Sequence, residues 1–145
     1  MLKGIPHILS PDLLAVLQEM GHGDEITIVD GNYPGASAGP ILIRADGHAA
    51  TDLLEAVLTL MPLDDFVPDP VVVMQVVGDA SERPPVVEDY AAIVARHEPK
   101  VVLASLERFA FYERAKKAYC VIVTGDTRFY GCFIFKKGVI PPKAG

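Results

Sequence analysis

His22 and Asp30 are the two residues whose types and spacing best suit proton transfer. A histidine side chain titrates at about pH 6.5 in general, so small changes in its surroundings let it exchange a proton at physiological pH. A carboxylate one short strand further along the chain can orient the ring or hold a substrate hydroxyl. Arg108 adds fixed hydrogen-bond donors that suit an oxygen-rich ligand. Together these residue types suit acid–base chemistry on a sugar.

Each of these residues also has a purely structural explanation. A single histidine is most often a packed or exposed side chain with no chemical role. Asp30 can cap the loop that follows its strand, and Arg108 can form an ion pair at the start of a helix. The local spacing leaves both interpretations open.

The elements around His22 fix where it lies. Ser10, followed by a proline, predicts the start of a helix, and Gly21 predicts its left-handed end. His22 then falls in a tight turn before a buried strand over residues 25–29, and Asp30 lies where that strand ends. The spacing therefore predicts that His22 and Asp30 lie beside each other.

Helices and strands alternate along the rest of the chain. Helices are predicted from an N-cap at Thr51 to about residue 61, over about 86–97 and over 107–118, and strands over 41–43, 71–77, 101–105, 120–124 and 132–135. The apolar run 71–77 has no polar alternation, so we place it at the centre of the sheet. This alternation predicts an α/β fold: a three-layer α-β-α sandwich with a largely parallel central sheet, the last two strands forming an antiparallel edge.

We expect a single domain over residues 1–145, because 145 residues that are 50% hydrophobic suit one compact core. In a parallel sheet of this kind, ligands bind outside the carboxyl ends of the strands. Asp30, residues 105–108 and residues 124–131 all follow predicted strands. We therefore expect these three segments to converge on one site.

Several functions are disfavoured by composition and motif. The net charge of −6 comes without a basic cluster, which argues against nucleic-acid binding. No apolar run approaches the roughly 20 residues that span a bilayer. The loop over residues 31–40 matches neither the GxGxxG nor the Walker A pattern, and no Gly-x-Ser-x-Gly elbow is present. The four histidines lack the paired spacing of a metal site, so we expect no metal.

The two cysteines and the first residues bear on location. Cys120 and Cys132 lack metal-type spacing, and we expect them to be reduced core residues. The N-terminus lacks the charged and apolar regions of a signal peptide. We therefore expect a cytoplasmic protein.

The chain resembles, from end to end, the fucose mutarotase and D-ribose pyranase family. The resemblance rests on five segments, none of them specific alone: residues 21–26 (GHGDEI), 43–47 (IRADG), 108–115 (RFAFYERA), 130–131 (YG) and 136–139 (KKGV). The pyranase branch is similar mainly at Gly21, His22 and Asp24 and in the loop over 124–130. The fucose branch is the closer match.

The resemblance implies an isomerase that interconverts the anomers of a free reducing sugar, with L-fucose the leading candidate, without a cofactor. It implies that His22 is the proton donor and that the sugar is held by Asp30, Arg108 and the turn of Tyr130, Gly131 and Cys132. It also implies a homo-oligomer, with stacked pentamers forming a decamer or with a smaller assembly, in which a neighbouring subunit closes the pocket. No nucleic acid or membrane partner is implied.

Two positions depart from the family pattern. Cys132 stands where the family usually has asparagine, and Asp126 stands where it usually has glutamate. Because a thiol is a weaker hydrogen-bond partner than an amide, substrate choice could differ. Two other functions stay open: interconversion of ribose pyranose and furanose forms, and non-catalytic sugar binding as an accessory protein.

Overall fold

The computed structural model describes residues 1–143, which form four α-helices and six strands. The helices are α1 (Pro11–Glu19), α2 (Ala50–Leu60), α3 (Pro85–His97) and α4 (Arg108–Ala115). The strands are β1 (Glu25–Val29), β2 (Ile41–Ala45), β3 (Val71–Met74), β4 (Ala104–Leu106), β5 (Cys120–Thr124) and β6 (Phe133–Lys136). Helix and strand alternate through most of the chain, as predicted.

The six strands form one mostly parallel sheet in the order β2-β5-β1-β6-β3-β4. Strand β6 alone runs against its neighbours, pairing antiparallel with both β1 and β3. The expectation of an antiparallel edge is wrong in this detail, because β6 inserts into the middle of the sheet. The run predicted to be the sheet centre, β3, lies next to the edge strand β4.

Side chains of alternate residues on the strands face two separate apolar layers. In β5, Cys120 and Ile122 pack with the buried faces of α1, α2 and α3, whereas Val121 and Val123 pack with α4. All four side chains are at most 1% exposed. The predicted three-layer sandwich is therefore confirmed, with unequal outer layers.

The end of α1 differs from the prediction. Ser10 caps the start as expected, its hydroxyl accepting from the N–H of Leu13 at 3.2 Å. The helix ends at Glu19 and the chain turns extended at Met20, so Gly21 is not a left-handed stop. The amino group of Lys137 instead donates to two carbonyls of this last turn.

Helix α2 begins at Ala50, one residue before the predicted cap at Thr51. Its first N–H group donates to a carboxylate oxygen of Asp126 at 3.1 Å, so a side chain distant in sequence performs the capping. Within residues 1–143, no helix is both long and apolar enough to span a membrane.

Candidate active site

A cavity of about 310 Å³ opens at the carboxyl ends of β1, β3 and β4. The start of β6 adds Cys132 to the same edge, because that strand runs the other way. Ten residues line the cavity: Asp30, Asn32, Tyr33, Met74, Val77, Arg108, Tyr112, Phe129, Tyr130 and Cys132. The predicted convergence at this edge is confirmed for Asp30, Arg108 and Tyr130.

Asp30 is a buried carboxylate at the end of β1, with 5% of its surface exposed. One oxygen, Oδ1, accepts from the N–H of Asn32 at 2.8 Å, which holds the loop that follows. The other, Oδ2, lies 3.5 Å from the thiol of Cys132. The carboxylate thus both caps its loop and faces the cavity, so the two alternatives for Asp30 are compatible.

Cys132 is 3% exposed and faces the same cavity. Burial raises the pKa of its thiol well above the ordinary value, and the nearby charge of Asp30 raises it further. The thiol is therefore neutral at physiological pH and acts as a weak hydrogen-bond donor, without the thiolate that a nucleophile requires.

Arg108 is the first residue of α4, where Glu107 caps the helix by accepting from two backbone N–H groups. Its Nε donates to the hydroxyl of Tyr112 at 3.3 Å. The guanidinium carbon lies 5.5 Å from the ring centroids of both Phe109 and Tyr112. These aromatic contacts hold an exposed cation at the mouth of the cavity.

Tyr130 adopts a left-handed backbone conformation, with φ at +64°. Its hydroxyl accepts from the N–H of Val77 at 3.1 Å, which links the turn to the segment after β3. At Gly131, a Cβ atom would lie 3.5 Å from the Cβ of Asp30 and 3.4 Å from the carbonyl of Arg128. These are ordinary van der Waals distances, so they do not require glycine here, and Gly131 does not line the cavity.

His22 lies at the opposite edge of the sheet. It precedes β1 and Asp30 follows it, and five extended residues span roughly 17 Å. The Nε2 atom of His22 is 3.0 Å from Oδ1 of Asp64, and the ring centroid is 5.3 Å from that of Phe66. The expectation that His22 lies beside Asp30 is therefore wrong within one chain, because an extended strand separates them.

Asp126 forms a second polar cluster beside the cavity. It is 6% exposed, and its carboxylate accepts from the backbone and the guanidinium of Arg128 and from the N–H of Ala50. The hydrogen bonds from the Arg128 side chain lower the pKa of Asp126 to about 2, against the opposing effect of burial. Both carboxylate oxygens of Asp126 are already hydrogen-bonded within the protein, so its role here is structural.

Five cavity residues were not predicted from the sequence: Asn32, Tyr33, Met74, Val77 and Tyr112. Phe129 falls within the predicted segment 124–131 but was not singled out. Tyr112 could have been found, since it lies one helical turn from Arg108. Asn32 and Tyr33 directly follow Asp30 in a loop after a strand, which is the expected place for ligand contacts. Asp64, the partner of His22, also escaped, because its sequence neighbourhood carries no motif.

Within the described residues, no group of three His, Cys, Asp or Glu side chains is arranged to hold a metal ion. The cavity instead combines hydroxyl, carboxylate and guanidinium groups with the apolar side chains of Met74 and Val77. Its volume is at the lower end of the range for small-molecule sites. Such an arrangement can bind a small polyol that carries an apolar substituent.

Comparison with known proteins identifies relatives over nearly the whole chain. Residues 3–140 match the model of the RbsD / FucU transport protein family. Human fucose mutarotase is 50% identical over 145 residues, covering 96% of this chain and 94% of the human protein.

Two solved structures share the fold. Fucose mutarotase from Streptococcus pneumoniae, in complex with L-fucose, superposes with a TM-score of 0.90 at 46% identity, covering 97% of this chain and 100% of that one. Bacillus subtilis RbsD, complexed with D-ribose, superposes with a TM-score of 0.74 at 22% identity over the same shares. The second likeness shows the fold alone.

Proposed function

Because this chain belongs to the RbsD / FucU transport protein family, we propose that it is a mutarotase, an isomerase that interconverts the α and β anomers of L-fucose. The observation that carries the proposal is the cavity, in which Asp30, Arg108 and Tyr130 meet at the carboxyl edge of the sheet. Two of the segments that carry the family resemblance, residues 108–115 and 130–131, contain Arg108 and Tyr130, whereas Asp30 lies outside those segments.

The chemistry requires two proton transfers and no net change in protonation. Ring opening breaks the bond between C1 and the ring oxygen: the ring oxygen gains a proton while the anomeric hydroxyl loses one. Reclosure on the other face of the carbonyl reverses both transfers and gives the other anomer. One group that titrates near neutral pH is sufficient if it takes the proton from the anomeric hydroxyl and gives it to the ring oxygen, while fixed polar contacts hold the sugar. This chemistry requires no cofactor.

The polar and apolar groups of the cavity match the two kinds of group that the substrate carries. L-Fucose carries hydroxyl groups around its ring and a methyl group, in place of a hydroxymethyl, at C6. We propose that Asp30, Arg108 and Tyr130 hold the hydroxyl groups and that Met74 and Val77 contact the methyl group. Burying one methyl group contributes about 0.8 kcal/mol, which favours a 6-deoxy sugar.

We propose that His22 is the proton donor and reaches the cavity of a neighbouring subunit. Its side chain is 44% exposed at the amino edge of the sheet, whereas Asp30 and Arg108 lie at the carboxyl edge. Head-to-tail packing of identical chains brings these two edges together and closes into a ring. The family resemblance favours rings of five, stacked into a decamer.

We also propose a cytoplasmic location. Cys120 and Cys132 are both buried free thiols, as suits a reducing compartment.

Saturation-transfer NMR tests the proposed activity directly. Inverting the α-anomer signal of L-fucose should transfer magnetisation to the β anomer faster with the protein than without it. His22→Ala should remove most of this acceleration, because general acid–base catalysis contributes roughly 10²–10⁴-fold. Undiminished exchange in the variant would remove His22 from the mechanism.

Interconversion of ribopyranose and ribofuranose is the second candidate, because the chain also resembles the pyranase branch of the family at Gly21, His22 and Asp24 and in the loop over 124–130. The same NMR experiment on D-ribose separates the two. Faster pyranose–furanose exchange on ribose than anomer exchange on fucose would favour a pyranase. Saturable sugar binding with no accelerated exchange would instead indicate an accessory protein.

A further inference from the structure

The imidazole of His22 is held on one side and open on the other. Its Nε2 atom lies 3.0 Å from Oδ1 of Asp64, and Phe66 packs against the ring at an interplanar angle of 52°. The Asp64 side chain is 4% exposed, whereas that of His22 is 44% exposed. One ring nitrogen is therefore fixed by the protein, and the other is left for a substrate.

The Asp64 carboxylate is ionised and accepts hydrogen bonds only. Burial alone would raise its pKa, but hydrogen bonds from the N–H of Phe66 and from His22, together with the charge of Lys136, outweigh burial and lower it. Oδ1 receives both the Phe66 N–H, at 3.0 Å, and the His22 ring nitrogen. An ionised carboxylate has no proton to donate, so Nε2 must carry one.

The backbone around Asp64 is fixed by residues 136–138, at the end of β6 and directly after it. The N–H of Asp64 donates to the carbonyl of Lys136 at 3.0 Å, and the N–H of Gly138 donates to the carbonyl of Pro62 at 2.8 Å. The approach is so close that a Cβ on Gly138 would come within 2.4 Å of the carbonyl oxygen of Leu63. Only glycine fits there without displacing this backbone.

The same segment fixes the turn that carries His22. The carbonyl of Lys137 accepts from the N–H of Gly23 at 2.8 Å, and its own N–H donates to the carbonyl of Asp24 at 2.8 Å. Gly23 has φ at +88°, which the turn requires. Residues 136–138 contributed to the family resemblance, but the sequence assigned them no function. Their backbone hydrogen bonds fix the positions of His22 and Asp64 relative to each other.

We infer that Asp64 is a positioning residue that binds the Nε2–H of His22 and leaves Nδ1 as the atom that exchanges a proton with the sugar. A neutral imidazole has one donor and one acceptor nitrogen, so a carboxylate on Nε2 determines the tautomer. Nδ1 then accepts a proton in the neutral ring and donates it from the protonated ring. It also fixes the direction in which Nδ1 points. The kinetic consequence rests on the proposed mutarotase function, whereas the tautomer can be measured without it.

The first test is the tautomer of His22 in the sugar-free protein, measured at alkaline pH by long-range ¹H–¹⁵N correlation with ¹⁵N-labelled histidine. His22→Gln assigns the signals. We expect Nε2 to be protonated and Nδ1 to be bare in the wild type. The opposite tautomer would overturn the inference even if the enzyme is fully active.

The second test is Asp64→Asn, which keeps an oxygen for the N–H of Phe66 but removes the charge. We expect mixed tautomers and a tenfold or greater loss of anomer exchange at saturating L-fucose with little change in KM, since acid–base catalysis contributes roughly 10²–10⁴-fold. Asp65→Asn is the matched control, because Asp65 is the exposed neighbour and should leave both readouts unchanged.

The outcomes separate the inference from the proposed function. Full exchange activity in Asp64→Asn, with a wild-type fold by circular dichroism, would overturn the positioning role and leave the mutarotase intact. An Nε2–H tautomer lost in Asp64→Asn, in a protein that does not accelerate anomer exchange, would support the pairing and overturn the function. If Asp64→Asn fails to fold, Asp64→Glu with a retained tautomer and reduced exchange gives the same support, and unchanged exchange overturns it.

Discussion

The thiol of Cys132 lies 3.5 Å from Oδ2 of Asp30, in the wall of the cavity proposed to bind the sugar. Both side chains are at least 95% buried, so neither has an alternative partner in bulk water. The thiol is a weak hydrogen-bond donor to this carboxylate oxygen, which could otherwise accept a hydrogen bond from a sugar hydroxyl.

Cys132→Asn should strengthen binding of L-fucose. An amide of similar size can donate to Asp30 and still offer its oxygen to the sugar, which a thiol does poorly. One added neutral hydrogen bond is worth about 1 kcal/mol, so we expect KM for L-fucose to fall about fivefold. Cys120→Ala is the control, since Cys120 lies in the core beneath the other face of the sheet. An unchanged KM in Cys132→Asn would mean that this position does not tune specificity.

Val77→Thr should weaken the preference for a 6-deoxy sugar. Threonine keeps the shape of valine but replaces a methyl group with a hydroxyl at the apolar wall. Val77 is 63% exposed without sugar, so its contact with the sugar methyl is worth at most about 0.8 kcal/mol, and the kcat/KM ratio of L-fucose over L-galactose should fall by up to about fourfold. Val102→Thr, at another exposed valine outside the cavity, should not change the ratio. A constant ratio in Val77→Thr would place the methyl group elsewhere.

The ion pairs of Arg114 should raise the free energy of unfolding. Its guanidinium donates to Glu25 at the start of β1, at 2.6 Å, and to Asp69 at 3.1 Å, with Arg114 and Glu25 both mostly buried. Arg114→Met leaves Glu25 without this partner, so the free energy of unfolding should fall by about 3 kcal/mol in urea titrations.

The double variant Glu25→Met/Arg114→Met should recover a large part of that loss, because it removes both charges. The exposed pair Lys116 and Glu113 gives the matched control, and Lys116→Met should cost less than about 1 kcal/mol. Additive effects of the Glu25 and Arg114 substitutions would show that the two side chains are not coupled.

Asp126 should make stability depend on pH at the acid end. Its pKa is depressed to about 2 in the folded protein and is about 3.9 in an unfolded chain, so the unfolded chain binds the proton more readily. The stabilisation is complete above about pH 4 and is lost as the pH falls toward 2. Asp126→Asn should lower the free energy of unfolding by roughly 1–3 kcal/mol at pH 7 and reduce its dependence on pH below 4.

The matched control for Asp126 is Asp46→Asn, since Asp46 pairs with Arg44 in an exposed position. In urea titrations at pH 7 and below pH 4, the free energy of unfolding of that variant should differ little from that of the wild type. An acid dependence in Asp126→Asn equal to that of the wild type would contradict the assignment.

Much of the fold could be predicted from the sequence because apolar patterns record which faces are covered. The strands β1 and β5 match their predicted bounds, and Ser10 caps its helix as predicted. The insertion of β6 between β1 and β3 could not be predicted, since strand order depends on pairing between distant segments. Strand β3 stops at Met74, three residues early, where a turn with Gly78 at φ +85° begins.

The sequence predicted the residues of the cavity and His22, but it did not predict how the two are arranged. Asp30, Arg108, Tyr130 and Cys132 line one cavity, as expected from strand ends and from the family resemblance. The error at His22 was avoidable, because a strand that rises about 3.3 Å per residue carries its two ends to opposite edges of the sheet. Asp64 was not predictable, since no local pattern marks a partner that folding brings from a distant loop.

Mixing two inactive variants tests most directly whether a neighbouring subunit supplies His22. His22→Ala and Asp30→Asn should each lose most of the acceleration of L-fucose anomer exchange. If the two residues meet across subunits, random co-assembly from equal amounts of both should restore about one quarter of the wild-type sites. Exchange near that level after co-refolding, measured by saturation-transfer NMR, is the predicted result. No recovery in verified mixed oligomers would contradict the shared site.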